Sequence, residues 1–179
     1  MHNEIIKPFI SEQDIKKRIE ALAAQITNDY KGEALTLVCM LKGGVVFMAD
    51  LARMLKLDSS LEFMEVSSYG DATQTSGVVR IVKDVSCDVT GKHVLLVEDI
   101  IDSGTTLAHI VKHLHTQNPK SLKVCVFLDK PDRRVNFDCK PDYTGFQIPD
   151  EFVVGYGLDY AQRYRNLPYL GILSFENEC

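Results

Sequence analysis

No apolar run in the chain approaches a membrane span, so no membrane partner is expected. The first residues, Met1 to Ile10, carry Glu4, Lys7 and Pro8 in place of the basic-then-apolar pattern of a signal peptide. The five cysteines, at 39, 87, 125, 139 and 179, are odd in number and contain no Cys-x-x-Cys. Reduced thiols in a cytoplasm are the simplest account, with Cys39 and Cys125 acting as small core residues in apolar runs. Basic residues are scattered and outnumbered, 20 against 25 acidic for a net charge of −5, which argues against general nucleic-acid binding. A triphosphate-binding Gly-x4-Gly-Lys-Ser/Thr loop is missing. The dinucleotide fingerprint that Gly155-Tyr156-Gly157 could begin fails at its third small residue, where Tyr160 stands. What is present, 179 residues with 45% hydrophobic and 25% charged, reads as one globular domain over 1–179 with enough chain for a sizeable core.

The chain is organised around Val94-Leu95-Leu96-Val97-Glu98-Asp99-Ile100-Ile101-Asp102-Ser103-Gly104-Thr105-Thr106-Leu107. Four consecutive apolar residues after the turn residue Gly91 predict a fully buried parallel-type strand over Gly91 to Val97. From Thr106 onward, Leu107, Ile110, Val111 and Leu114 recur at helical spacing, so strand passes into helix across a polar join. Ligands sit at such joins in open α/β sheets. Three hydroxyls and a cluster of backbone N–H groups around Gly104 make a seat for one phosphate. Glu98 and Asp99 place two carboxylates at the strand's carboxyl end, where burial is costly without partners and where a ribose diol or a divalent cation would satisfy them. The plainer reading is that Asp102 or Ser103 caps the helix and the acids are solvated.

Elsewhere, Ser11 caps a helix with the apolar stripe Ile15, Ile19, Leu22, Ala23 and Ile26, ended by Gly32. Ala34 to Met40 is a strand and Val45 to Leu57 a helix, with Val45, Met48, Leu51, Ala52 and Leu55 facing inward. Between them, Leu41-Lys42-Gly43-Gly44 lets backbone N–H groups approach an anion closely, though alone it would be only a turn. Leu61 to Val66 reads as a strand, and the polar, aperiodic stretch Ser67 to Gly77 as either a lid or a connector. Val78 to Val82 returns as a strand. In the helix after the join, His109 and His113 stand four apart with His115 beyond, a spacing that could hold a metal but fits a solvated face. Leu122 to Leu128 is the next buried strand after Pro119, and Lys130 at its carboxyl end either snorkels or reads a ligand. Asp142 to Phe146 and Phe152 to Tyr160 are strand-like. Alternating strands and helices predict an α/β fold.

The string from Glu98 to Thr106 resembles the phosphoribosyl pyrophosphate (PRPP) signature of the type I phosphoribosyltransferases. Leu-Lys-Gly-Gly at 41, Ser-Tyr-Gly at 68, Ile-Pro-Asp at 148, Phe-Val-Val-Gly-Tyr-Gly-Leu-Asp-Tyr at 152 and Tyr-Arg-Asn-Leu-Pro-Tyr at 164 follow in family order. From about residue 34 onward the chain is similar to the hypoxanthine-guanine branch. The resemblance implies a twisted, mostly parallel sheet flanked by helices, with a small hood from about 1–10 and 130–179. It implies transfer of 5-phosphoribosyl from PRPP to hypoxanthine or guanine with release of pyrophosphate, with Mg2+ as cofactor, in a cytoplasmic homodimer or homotetramer. Asp102 would be the general base at the purine N7. Ser103, Gly104, Thr105 and Thr106 would hold the 5-phosphate, while Glu98 and Asp99 bind the ribose, directly or through metal. Lys42, Gly43 and Arg165 would hold pyrophosphate, with the bond before Lys42 often cis in the family. Lys130, Phe152 and Val153 would bind the purine, Asp159 a second magnesium beside it, and Ser68 and Tyr69 would open the closing lid. The alternative is a PRPP-sensing regulator on the same fold, binding nucleic acid.

Overall fold

The computed structural model describes residues 3–69, 78–135 and 140–176. Its elements are β1 (Asn3–Ile10), α1 (Glu12–Asp29), β2 (Leu35–Leu41), α2 (Val45–Met54), β3 (Ser59–Tyr69), β4 (Val78–Lys83), β5 (His93–Ile101), α3 (Thr105–His115), β6 (Ser121–Asp129), a 3-10 turn (Pro131–Arg133), β7 (Tyr143–Gln147), β8 (Val153–Val154) and β9 (Leu170–Glu176).

Ser11 starts α1 by accepting a hydrogen bond from the Asp14 N–H at 3.2 Å, and Glu12 and Asp14 complement the positive end of the helix. The stripe from Ile15 to Ile26 is buried as its spacing requires. Helix α2 stops three residues before the expected Leu57. Leu55 is extended, and the Lys56 N–H donates to Thr27 Oγ1, so the chain turns toward β3 there. Val45, expected inward, opens the helix on its exposed side.

Six strands form one sheet in the order β4-β3-β2-β5-β6-β7, parallel throughout except for the antiparallel pair of β3 with β4. Its central strands bury both faces, with alternate residues of their middle stretches turned to opposite sides. Leu37, Cys39, Leu95, Val97, Cys125 and Phe127 meet α1 and α2 on one side. Val38, Met40, Val94, Leu96, Val124 and Val126 meet Leu107, Ile110 and Leu114 of α3 on the other. Burial pushes the Cys39 thiol up to about 12 and the Cys125 thiol up as well, in keeping with cysteines that only fill space. Strands β2 and β5 are neighbours, with β3 laid outside one and β6 outside the other. The strand order therefore reverses between β2 and β5, which opens a crevice at their carboxyl ends.

Both ends of the described chain meet in a second sheet, β1-β9-β8, with Ile5 opposite Ser174 and Val153 opposite Ile172. Three expectations shift. Tyr143–Gln147, assigned to the hood, instead extends the main sheet beside β6. Ser67, Ser68 and Tyr69 belong to β3 and pair with Arg80, Val79 and Val78, because the antiparallel β4 satisfies their backbone. Residues 70–77, the remainder of the expected lid, lie outside the described residues. The strand-like run from Phe152 keeps its place in the sheet over Val153–Val154 and beyond that makes only the isolated bridges Gly155–Leu158 and Tyr160–Arg163, since Gly155, Tyr156 and Gly157 all take positive φ and turn the chain away.

Candidate active site

The site is built at the carboxyl ends of β2 and β5. Strand β5 runs four residues further than its apolar run, to Ile101, so Glu98 and Asp99 still lie within the strand, Glu98 standing opposite Val126 of β6. Glu98 Oε2 is buried with no hydrogen-bond partner among the described residues. Desolvation, reinforced by the neighbouring Asp99 charge, holds the Glu98 carboxyl well above its usual range. Asp99 is raised to about 6, chiefly by desolvation; the Ile100 N–H at 2.8 Å and the Arg165 charge oppose this, while Asp159 adds to it.

A carboxyl whose folded pKa is raised binds its proton more tightly when folded, so stability falls as pH rises through that interval, for Asp99 from 3.8 to about 6. Holding the acid pair charged at neutral pH therefore costs stability. Glu98→Gln is expected to raise the unfolding free energy of the ligand-free protein at pH 7 by on the order of 1–3 kcal/mol while lowering activity. Calorimetry of both proteins measures it; an unchanged or lower melting temperature in the variant would show the pair to be internally compensated.

Leu41-Lys42-Gly43-Gly44 joins β2 to α2, with a cis peptide bond between Leu41 and Lys42. Lys42 is exposed while Gly43 and Gly44 are buried. A Cβ on Gly43 would lie 1.4 Å from Asp99 Oδ2, so the bare backbone of this loop packs directly on the carboxylate. Gly157 closes the stack, since a Cβ there would lie 2.2 Å from the Gly43 carbonyl oxygen. Gly43→Ala must displace either the loop or Asp99, and a displacement of that size is expected to lower kcat/KM about 10²-fold. Steady-state kinetics on the variant, with circular dichroism to establish folding, reads this; retention of full efficiency would detach the loop from the site.

Arg165 reaches the same place from the turn after β8. It donates from Nη1 to the Gly157 carbonyl at 2.8 Å and pairs through Nη2 with Asp159 Oδ1 at 2.7 Å. The other oxygen of Asp159 accepts the Gln162 N–H at 2.8 Å. Glu4, from β1, accepts from Arg163 and Tyr164, the two residues before Arg165. Nothing local in the sequence marked this brace, because its partners are separated by 159 and 160 residues.

At the join into α3 the helix cap is Gly104, with φ +82 and no side-chain cap hydrogen bond. The plainer reading of Asp102 or Ser103 as the cap is therefore not what forms. Ser103 Oγ instead accepts the Thr105 N–H at 3.3 Å, and Thr105 and Thr106 open the helix. The result is a ring of hydroxyls and first-turn N–H groups suited to an anion.

The far side of the crevice carries Lys130, 8% exposed at the carboxyl end of β6, with Nζ 3.5 Å from Asp150 Oδ1. Arg133 spans Asp102 and Asp150. Neither Arg133 nor Asp150 was singled out from the sequence. Asp150 stands in the Ile-Pro-Asp motif, which was a usable signal; Arg133 had none. Phe152 is half exposed, its ring edge-on to Tyr160 at 5.8 Å, and Val153 is buried beside it. His113 bonds Asp84 at 2.7 Å, which accounts for it without metal. Among the described residues no three His, Cys, Asp or Glu side chains converge as a group that would hold a metal by themselves.

Residues 10–161 match the family model of the phosphoribosyl transferase domain. The bifunctional protein TilS/HprT of Listeria monocytogenes is 48% identical over 98% of this chain, which spans only 27% of that relative's length. The hypoxanthine-guanine phosphoribosyltransferase of Bacillus subtilis is 47% identical over 97% of this chain and 96% of its own. A crystal structure of a hypoxanthine-guanine phosphoribosyltransferase from Bacillus anthracis superposes with a TM-score of 0.89 at 46% identity, covering 96% of this chain and 99% of the other. With the acidic strand end, the glycine loop and the hydroxyl-rich helix start meeting in one crevice, the chain belongs to the phosphoribosyl transferase family, in its hypoxanthine-guanine branch.

Proposed function

We propose that this protein transfers the 5-phosphoribosyl group of PRPP to hypoxanthine, and to guanine, releasing pyrophosphate and forming IMP or GMP for purine salvage. The observation that carries this reading is the crevice between β2 and β5, which sets a phosphate-type loop, a glycine loop and a buried acid pair beside Lys130 and Asp102. During transfer the anomeric carbon becomes cation-like while charge builds on the leaving pyrophosphate, so both ends need preset partners. Ser103, Gly104, Thr105 and Thr106 hold the 5-phosphate through hydroxyl and N–H donors. Glu98 and Asp99 take the ribose hydroxyls. Lys42, the Gly43 N–H and Arg165 hold the pyrophosphate. Asp102 accepts the proton from purine N7, Lys130 donates to the 6-oxygen, Phe152 stacks on the ring and the Val153 backbone reads its far edge.

Mg2+ fits the donors available. It favours oxygen ligands and is commonly held by one or two carboxylates together with substrate phosphates, so a three-carboxylate cage is not required. Glu98, with its unpartnered buried oxygen, and Asp99 would hold one ion near the ribose, and Asp159 a second through water. When bound, the metal supplies positive charge to the leaving group. A closing role for Ser68 and Tyr69 remains part of the proposal, as does a homodimer or homotetramer in the cytoplasm, read by light scattering and cell fractionation. Among the described residues no helix is long and apolar enough to cross a membrane.

The deciding experiment supplies PRPP, Mg2+ and a panel of hypoxanthine, guanine, xanthine, adenine and uracil, and follows nucleotide formation. IMP formation is expected. Absence of product from every base, with PRPP-dependent retention of RNA on a filter, would favour the regulator, which the relatives' names do not support.

A further inference from the structure

The carboxylate assigned to the purine already has a partner. Arg133 Nε donates to Asp102 Oδ1 at 2.8 Å and its Nη2 to Oδ2 at 3.4 Å, while Nη1 reaches Asp150 Oδ2 at 3.3 Å. Asp150 Oδ1 in turn lies 3.5 Å from Lys130 Nζ. The four side chains thus alternate in charge, and the two at the ends are those assigned to N7 and to the 6-oxygen. The backbone carrying Arg133 is pinned to the phosphate-type loop at both sides, by Lys130 N–H to the Ile101 carbonyl at 3.0 Å and by Val135 N–H to the Ser103 carbonyl at 3.1 Å. Only the Arg133 side chain is therefore placed to move. That side chain and the Asp102 side chain are 51% and 46% exposed, so water can replace either partner of the pair.

We propose that Arg133 is a positioning residue that occupies the purine's place on Asp102 in the empty enzyme and withdraws onto Asp150 when the base arrives. This rests on the assignment of Asp102 and Lys130 to the purine. A guanidinium N–H and a purine N7–H seek the same carboxylate lone pairs, so the two cannot both hold that oxygen in full geometry. Every base that binds must displace the arginine. Arg133 would thus set the base affinity without touching the PRPP side of the crevice, and would keep the Asp102 carboxylate aimed until it is used. Because an exposed ion pair is weak and screened by salt, the competition is worth about two- to fivefold and fades as ionic strength rises.

The test compares KM for hypoxanthine and for PRPP in the full-length enzyme, in R133M and in R133K, from low to high salt. Transfer by the unsubstituted enzyme is established first, and its failure there would strike the functional reading and not this inference. In R133M the hypoxanthine KM is expected to fall about two- to fivefold at low salt and to lose its salt response relative to the unsubstituted enzyme, with PRPP KM unmoved. R133K, which keeps the charge but not the fork, should lie between the two. A hypoxanthine KM in R133M equal to or above the unsubstituted value, or PRPP KM shifting in step with it, overturns the proposal. Should R133M fail to fold, the unsubstituted enzyme still decides. Its hypoxanthine KM should fall with salt more than its PRPP KM does, and an equal response of the two would overturn the proposal.

Discussion

Asp102→Asn is expected to lower kcat by about 10²–10⁴ at saturating substrates while leaving PRPP binding intact, the range typical of a lost general base. Asparagine keeps the shape of the side chain but has no carboxylate to take the N7 proton. The structure explains why the loss should be confined to turnover. The proposed 5-phosphate seat, Ser103 to Thr106, is held by contacts such as Thr105 N–H to Ser103 Oγ at 3.3 Å, which do not pass through the Asp102 carboxylate. The carboxylate faces the other way, toward Arg133. Turnover under saturating substrates and equilibrium binding of PRPP are the two measurements. An unchanged kcat would remove Asp102 from the proton transfer.

Adenine is expected to be used about 10⁴–10⁵-fold less efficiently than hypoxanthine, the penalty seen where a site reads its substrate by buried polar pairing. Lys130 is the reason. Its ammonium has three donors and no acceptor, and it is held with the side chain 10% exposed at the end of β6, so water cannot readily take over a missing bond. A 6-oxygen accepts from it, whereas the 6-amino group of adenine meets it donor to donor. Asp150 lies 3.5 Å behind and holds the ammonium in place. Lys130→Ala should accordingly raise KM for hypoxanthine and guanine far more than KM for PRPP. Kinetics with the three bases decide this, and comparable efficiency for adenine and hypoxanthine would overturn the role of Lys130.

Local pattern alone determined a good deal of this protein. Apolar runs at strand length and stripes at helical spacing predict β2, β5, β6, α1 and α3 because burial of a strand face or helix face is encoded in neighbouring residues. The two loops proposed to carry the chemistry, Leu41 to Gly44 and Asp102 to Thr106, were legible for the same reason, since glycine, hydroxyl and carboxylate types declare what a strand end can bind. Periodicity does not say which strand lies beside which. Only the tertiary structure brought β2 against β5, and with that placed Gly43 on Asp99 and Gly157 on Gly43. The same holds for Glu4, which braces Arg163 and Tyr164 from the opposite end of the chain, and for Arg133, an unmarked charge until the turn after β6 brings it onto Asp102. These contacts depend on chain segments far apart in sequence that share one crevice after folding. The length of β5 was decided there too: its apolar run ends at Val97, but pairing with β6 carries the strand to Ile101 and draws Glu98 and Asp99 into an environment that raises both carboxyls.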